Sequence, residues 1–238
     1  DDDIRRFLRD DGVSREAIEH RLQEYIAKYS VYDEILVLAP DGSVRAHLDT
    51  ANRVESSSDP LVAQTLATSG YVETFRASDL LPSRPRALIY SQRIDDEDGS
   101  ALGVLCLSFR FDNEMEGIFR AFRRKDDRSV MLLLDADGRV IASSDEDHVP
   151  LGKRLDVSPD GVTDIMDFGG REYIARTCST SGYQGYRGLG WMGHVMVPVE
   201  AAFRDARRTD DAAAASAGSA DMLCDELRAI GEQASSIN

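Results

Sequence analysis

Apolar residues recur along this chain in two rhythms, and one stretch of that rhythm is written twice. Ile35-Leu36-Val37-Leu38-Ala39-Pro40-Asp41-Gly42-Ser43-Val44-Arg45-Ala46-His47 returns as Met131-Leu132-Leu133-Leu134-Asp135-Ala136-Asp137-Gly138-Arg139-Val140-Ile141-Ala142-Ser143. Each copy reads as an apolar strand, a tight Asp-Gly turn and a second strand that alternates apolar with polar. Short-period solenoids repeat every ~20–50 residues, so a repeat at this wider separation predicts two tandem modules of one kind.

Helical rhythm surrounds the first copy. Ile4, Phe7 and Leu8 form a short apolar stripe, and a stronger helix follows, with Ser14 as its cap, Glu16 in its first turn and Val13 able to staple onto Ile18. Its apolar face is Ile18, Leu22, Tyr25, Ile26 and Tyr29. After a Ser-rich stretch, Pro60 opens a short helix through Thr68 that Gly70 ends. Strands are expected at Tyr71–Arg76, Arg86–Ile94 and Ala101–Phe111, the last two joined by the acidic turn Asp95–Gly99. That turn lacks the distal Glu of a calcium loop and reads as an exposed hairpin end. Asp112 can cap the next helix, whose face is Met115, Ile118, Phe119 and Phe122 and whose end carries Arg123-Arg124-Lys125.

The second module is shorter. Strands are expected near Val162–Phe168 and Arg171–Cys178, joined by Gly169-Gly170, with a last strand at Trp191–Val199. The glycine-rich stretch Gly182–Gly190 lies between strands and opens no helix, so it reads as a wide hairpin loop and not a phosphate cradle. Beyond a low-complexity run, Ala212–Ala220, the residues Leu223, Leu227, Ile230, Ala234 and Ile237 have heptad spacing. Two readings stand for that tail: the start of a dimeric output helix, or an ordinary amphipathic helix.

Composition narrows the classes. The 238 residues are 42% hydrophobic and 30% charged, enough to build a real core. A net charge of -15 argues against a general nucleic-acid grip, which needs clustered Lys and Arg, and serves solubility instead. Cys106, Cys178 and Cys224 show no metal or disulfide spacing, and the first two, in expected strands, read as buried inert thiols. No stretch reaches the ~18–20 apolar residues that span a bilayer. The chain opens on Asp1 without Met, as a fragment does.

Catalytic signatures are missing: there is no nucleophile elbow, phosphate loop, His-Glu-x-x-His or dinucleotide fingerprint. His20, His47, His148 and His194 match no local metal signature, and neither a cofactor nor a metal is expected. Two similar sheets in series without a catalytic motif look like a sensor. A cavity is the better candidate. Alternation puts Arg86, Leu88, Tyr90 and Gln92 on one face of their strand. In the closing strand Leu102, Val104, Cys106, Ser108 and Arg110 share one face, while Leu105, Leu107 and Phe109 make a wholly apolar face suited to the N-terminal helix. Arg76, Arg86, Tyr90, Gln92, Cys106 and Ser108 are therefore the candidate ligand-binding residues, on a half-polar wall. The rival reading has the arginines meeting surface carboxylates.

Taken together, the long helix, Ile35–Gly42, the hairpin Leu88–Ile94 with Asp98–Leu105, the linking helix and the second sheet resemble the double Cache sensor domains of bacterial methyl-accepting chemotaxis receptors and related signalling proteins. The resemblance spans residues 10–205. It implies an α+β fold of two PAS-like modules, each an antiparallel sheet with flanking helices, packed along a long N-terminal helix. The expected divisions are a helical segment at 1–30, a ligand-binding module at 31–111, a linking helix at 112–127, a second module at 128–205, and a linker with output helix at 206–238. The implied partners are a small molecule held in the first module, a second copy of the chain through its helices, and a downstream signalling domain of the same chain. A histidine kinase or cyclic-dinucleotide output, or a ligand-free dimerisation module, would look the same here. Amino-acid-binding members carry Arg-x-Trp-Tyr in module one, whereas the sole tryptophan here is Trp191, so that ligand class is not carried over. Because no spanning segment follows the last expected strand, a cytoplasmic receptor is expected; the alternative is the extracytoplasmic placement common in the family.

Overall fold

Each copy of the repeated strand pair becomes one side of a five-stranded antiparallel sheet. The computed structural model describes residues 2–48, 53–123, 128–180 and 188–206. The chain falls into two units, Asp1–Phe111 and Asp112–Asn238. The first holds α1 (Asp2–Leu8), α2 (Arg15–Lys28), β1 (Tyr32–Leu38), β2 (Val44–His47), α3 (Pro60–Leu66), β3 (Tyr71–Arg76), β4 (Ala87–Asp95) and β5 (Ala101–Phe109). Helix α4 (Phe111–Phe122) follows. The second unit continues with β6 (Val130–Leu134), β7 (Val140–Ser143), β8 (Asp160–Phe168), β9 (Arg171–Ser179), β10 (Met192–Pro198) and α5 (Val199–Ala206). Sheet one runs β2-β1-β5-β4-β3 and sheet two runs β7-β6-β10-β9-β8, the same order twice. The expected α+β pair of antiparallel modules is what the chain forms.

The doubled Asp-Gly has a specific task. Gly42 and Gly138 sit at φ 86° and 77°, in the region glycine reaches without strain. In each module the chain then loops back and clips onto that turn. Ser57 N–H donates to Gly42 O and Val44 N–H to Glu55 O, both at 2.9 Å; Leu155 N–H donates to Gly138 O and Val140 N–H to Lys153 O, again at 2.9 Å. A Cβ at Gly42 would collide with the Ser57 carbonyl, and one at Gly138 would lie 2.6 Å from the Leu155 carbonyl. Glycine is thus required twice over, by dihedral and by close approach.

Sheet one is covered on both faces. Leu36, Leu38, Ala87, Ile89, Val104 and Cys106 join α3 residues Leu61 and Val62, with Leu80 and Leu81, in one buried cluster. On the other face, a side chain at Gly103 would meet Leu8 of α1, and α2 packs against α1, β1 and β2. Helix α2 starts where Ser14 accepts the Ala17 N–H, and it buries Ile18 and Leu22. The N-terminal segment forms the two helices that the separate stripes before and after Ser14 predicted, in place of the one long helix implied by the resemblance. Asp10 adopts φ 58°, and Asp11 N–H closes back on Arg6 O, so the chain breaks into a short α1 and a separate α2.

Boundaries shift elsewhere. The closing strand ends at Phe109 and α4 starts at Phe111, which puts Asp112 inside the first turn and not at the cap. Arg110 causes the change, its N–H donating to Val31 O and its guanidinium to Tyr32 O. The face expected for α4 is buried at Met115, Ile118 and Phe119. Helix α5, directly after β10, went unread in the sequence. Cys178, read as an inert thiol, is disulfide-bonded, whereas Cys106 is free and buried. The heptad-spaced tail lies outside the described residues, as does most of the Gly182–Gly190 loop.

Candidate ligand-binding site

Strand register decides which side chains meet. Tyr90 pairs with Leu107 and Gln92 with Leu105, while Ser91 pairs with Cys106 and Ile89 with Ser108. Directly paired residues of an antiparallel ladder share a face. The six candidates are therefore divided. Cys106, Ser108 and, through its pairing with Ala87, Arg76 lie on the α3 face; Tyr90 and Gln92 lie with Leu105, Leu107 and Phe109 on the α1–α2 face. Arg86, just before β4, stacks over Phe75 and Phe111 at 5.3 and 5.5 Å and serves as a cationic cover for those rings. The single wall expected from alternation does not form, because parity within each strand was right but the pairing between strands is offset by one residue.

The α3 face carries a row of buried polar groups. Thr65 and Ser91, fully or almost fully buried, approach at 2.5 Å through their hydroxyls. With one hydrogen each, one hydroxyl donates to the other and the second donates to a carbonyl, from Thr65 to Leu61 O at 2.7 Å or from Ser91 to Val72 O at 3.1 Å. Ser108 accepts from Arg84 Nη1 at 2.9 Å, and the same nitrogen reaches Asp33 at 3.0 Å. Between these hydroxyls lies Cys106, its thiol pushed up to about 12 by burial and, less, by the Asp59 charge. A thiol held neutral in this way packs and does not attack. Glu34, paired with Ser108, turns its carboxylate onto the N–H groups of Ile35 and Leu48 at 3.0 and 2.7 Å.

One end of the row is a clasp. Asp59 caps α3 by accepting Leu61 N–H at 2.8 Å, and Pro60 supplies a first turn that lacks an N–H to satisfy. Its side chain is 1% exposed and binds both terminal nitrogens of Arg76 as well as the Ser78 hydroxyl. Burial alone would raise the Asp59 carboxyl. Arg76, Ser78 and Leu61 N–H outweigh burial and hold it below the usual carboxylate range. Beside it, Asp79 accepts from the hydroxyls of Ser57 and Ser58 and from Ser58 N–H.

Chemically, this face offers hydroxyls and paired charges. Of the two candidate arginines, Arg76 is committed to Asp59, a carboxylate that is deeply buried and not on the surface as the rival reading had it, while Arg84, which was no candidate, pairs with Asp33. Thr65, Ser91, Arg84, Asp59 and Glu34 escaped the sequence reading. Asp59-Pro60 was the one legible signal among them, being a capping residue followed by proline at the first helical position. Among the described residues no group of His, Cys, Asp and Glu is placed to hold a metal ion, and no helix is long and apolar enough to cross a membrane.

No family model and no curated protein matches the chain. Solved structures do. The extracellular domain assigned to a histidine kinase, rpHK1S-Z16, matches at a TM-score of 0.60 and 15% identity over 80% of each chain. The sensor domain of the Vibrio cholerae histidine kinase DctB matches at 0.55 and 14% identity, over 82% of this chain and 83% of that one. The ligand-binding domain of the Pseudomonas aeruginosa amino-acid chemoreceptor PctB, solved with L-Arg, matches at 0.54 and 15% identity over 85% of each. The chain therefore has the tandem PAS-like fold of double Cache sensor domains from chemoreceptors and histidine kinases. At these identities it is the architecture that is shared.

Proposed function

We propose that this chain is the small-molecule-sensing part of a bacterial signalling receptor, with its ligand held on the α3 face of the first module. The observation that carries the reading is the buried row of Thr65, Ser91, Cys106 and Ser108 between α3 and the sheet, closed at one end by the Asp59–Arg76 clasp. Apolar walls with a few fixed polar groups are what a small-molecule site needs. Of the six sequence candidates, Arg76, Cys106 and Ser108 belong to this site. Neighbours of the same fold are titled as complexes with L-alanine, asparagine, isoleucine and L-Arg, which supports a small polar ligand here too.

A chemoreceptor is the leading reading and a sensor histidine kinase the second, since both kinds of neighbour share the fold. The chain works by binding and not by catalysis, as a homodimer feeding a signalling domain further along the same polypeptide. Its placement is extracytoplasmic and not cytoplasmic: one neighbour is titled an extracellular domain, and a disulfide at Cys178 persists best in oxidising compartments. Ligand binding would reset α3 against the sheet and bias the helices that lead out of the module.

The test is a thermal-shift screen of the whole chain against amino acids, organic acids, amines and purines. A saturable rise in melting temperature that Ser91→Ala removes supports the site. A rise unaffected by Ser91→Ala but lost in Tyr90→Ala moves the ligand to the opposite face, and product formation would reassign the chain as an enzyme.

A further inference from the structure

Register places His194 in sheet two where Cys106 stands in sheet one. Cys106 pairs with Leu36 and Ser91, and His194 pairs with Leu132 and Thr177, the corresponding residues of the repeat. The polar pair of module one therefore has a counterpart, but with a different outcome. In module one the hydroxyls of Thr65 and Ser91 satisfy each other. In module two His194, 1% exposed, shares its Nδ1 with the Thr177 hydroxyl at 2.8 Å, and its Nε2 has no partner. A buried polar atom left unmet costs about 1–3 kcal/mol, and such atoms in folded proteins call for a reason.

The surroundings define what could meet it. Met192 and Met196 flank His194 on the same strand face, Leu132 lies opposite, and all three join Val149, Leu155, Tyr173 and Ala175 in the buried cluster. Above that face, His148 is occupied, its Nε2 lying 2.6 Å from the Tyr173 hydroxyl. Burial keeps His194 neutral. An ion entering this apolar setting would lose its hydration with no opposite charge to replace it. A hydroxyl group loses far less. It can donate to Nε2 or accept from Nε2–H, so it answers either tautomer that Thr177 selects.

We infer that the inner face of the second module is a second ligand site, in which His194 Nε2 bonds the hydroxyl of a small neutral molecule whose aliphatic body rests on Met192, Met196 and Leu132. This site is independent of the one proposed in module one. The test uses the whole chain labelled with ¹⁵N-histidine and titrated with butan-1-ol and butane-2,3-diol, with butyrate as the charged control. The expected result is a saturable shift of the His194 Nε2 resonance with the alcohols and none with butyrate. The alcohols should also raise the melting temperature, with half-saturation about tenfold weaker in His194→Leu. Thr177→Val keeps the imidazole and gives a second reading should His194→Leu fold poorly; its Nε2 shift should persist with altered magnitude. A resonance that stays put, or drifts linearly without saturation, overturns the site, as does an equal response from His194→Leu. Ser91→Ala separates the two proposals, because it leaves this response intact.

Discussion

The two modules share a strand order, a glycine-anchored turn and a returning clip, yet they cover their inner faces differently. Module one lays a regular helix, α3, over the sheet and pins it through Asp59 to Arg76 and Ser78. Module two covers the corresponding face with irregular chain around Val149 and Leu155, and among the described residues no buried carboxylate pins it. The difference separates what the fold demands from what each module adds. Turn glycines and apolar strands recur because both sheets need them; the polar rows diverge because nothing in the architecture fixes them.

The largest expected effects test the shared part. Gly42→Ala and Gly138→Ala each introduce a methyl group against a backbone carbonyl at a positive φ, and each should destabilise its own module by roughly 2–4 kcal/mol in denaturant melts. Similar losses would support one clip used twice, and a loss in one module alone would break the equivalence. Next comes the part that differs. Asp59→Ala uncaps α3 and removes the acceptor shared by Arg76 and Ser78, at a cost of about 1–2 kcal/mol since the Arg76 guanidinium is half-exposed, with α3 amides exchanging faster.

Titration should set the modules apart as well. His194 has its basicity lowered to about 4 by burial, against ~6.5 when unfolded. Below the unfolded value the unfolded chain binds the extra proton, so stability is complete above ~6.5 and falls by up to about 3 kcal/mol on the way to pH 4. Asp59 works at a lower range. Its carboxyl is depressed when folded, so its contribution is complete above ~3.9 and disappears only as pH drops through the folded value. Melting followed between pH 7 and 4 should thus weaken module two first, and His194→Leu should flatten that slope. A smaller effect closes the series. Tyr32→Phe removes a buried hydroxyl without a partner from the α1–α2 face and should be neutral or stabilise by about 1 kcal/mol, read from the melting temperature.

Much of the architecture was legible in advance. The doubled strand-turn-strand announced two modules, Ser14 and Pro60 marked helix starts, and the strand spans fell within a few residues. The site was less legible, for a physical reason. Alternation fixes which residues of one strand share a face, but the pairing of β4 with β5 depends on the turn at Asp95–Ala101, where the register shifts. One residue of offset sent Tyr90 and Gln92 to the helical face and brought Ser91 in. Ion pairs were hidden likewise. Arg76 meets Asp59 from 17 positions away, a contact no local pattern encodes.

Hydrogen exchange on the whole chain, with and without the compound that raises its melting temperature most, tests ligand sensing at module one most directly. Protection should rise at the amides of Leu61–Leu66 and of Ser91, and should not do so in Ser91→Ala. Protection gained only along α1, α2 and Tyr90, or nowhere in module one, would contradict a ligand under α3.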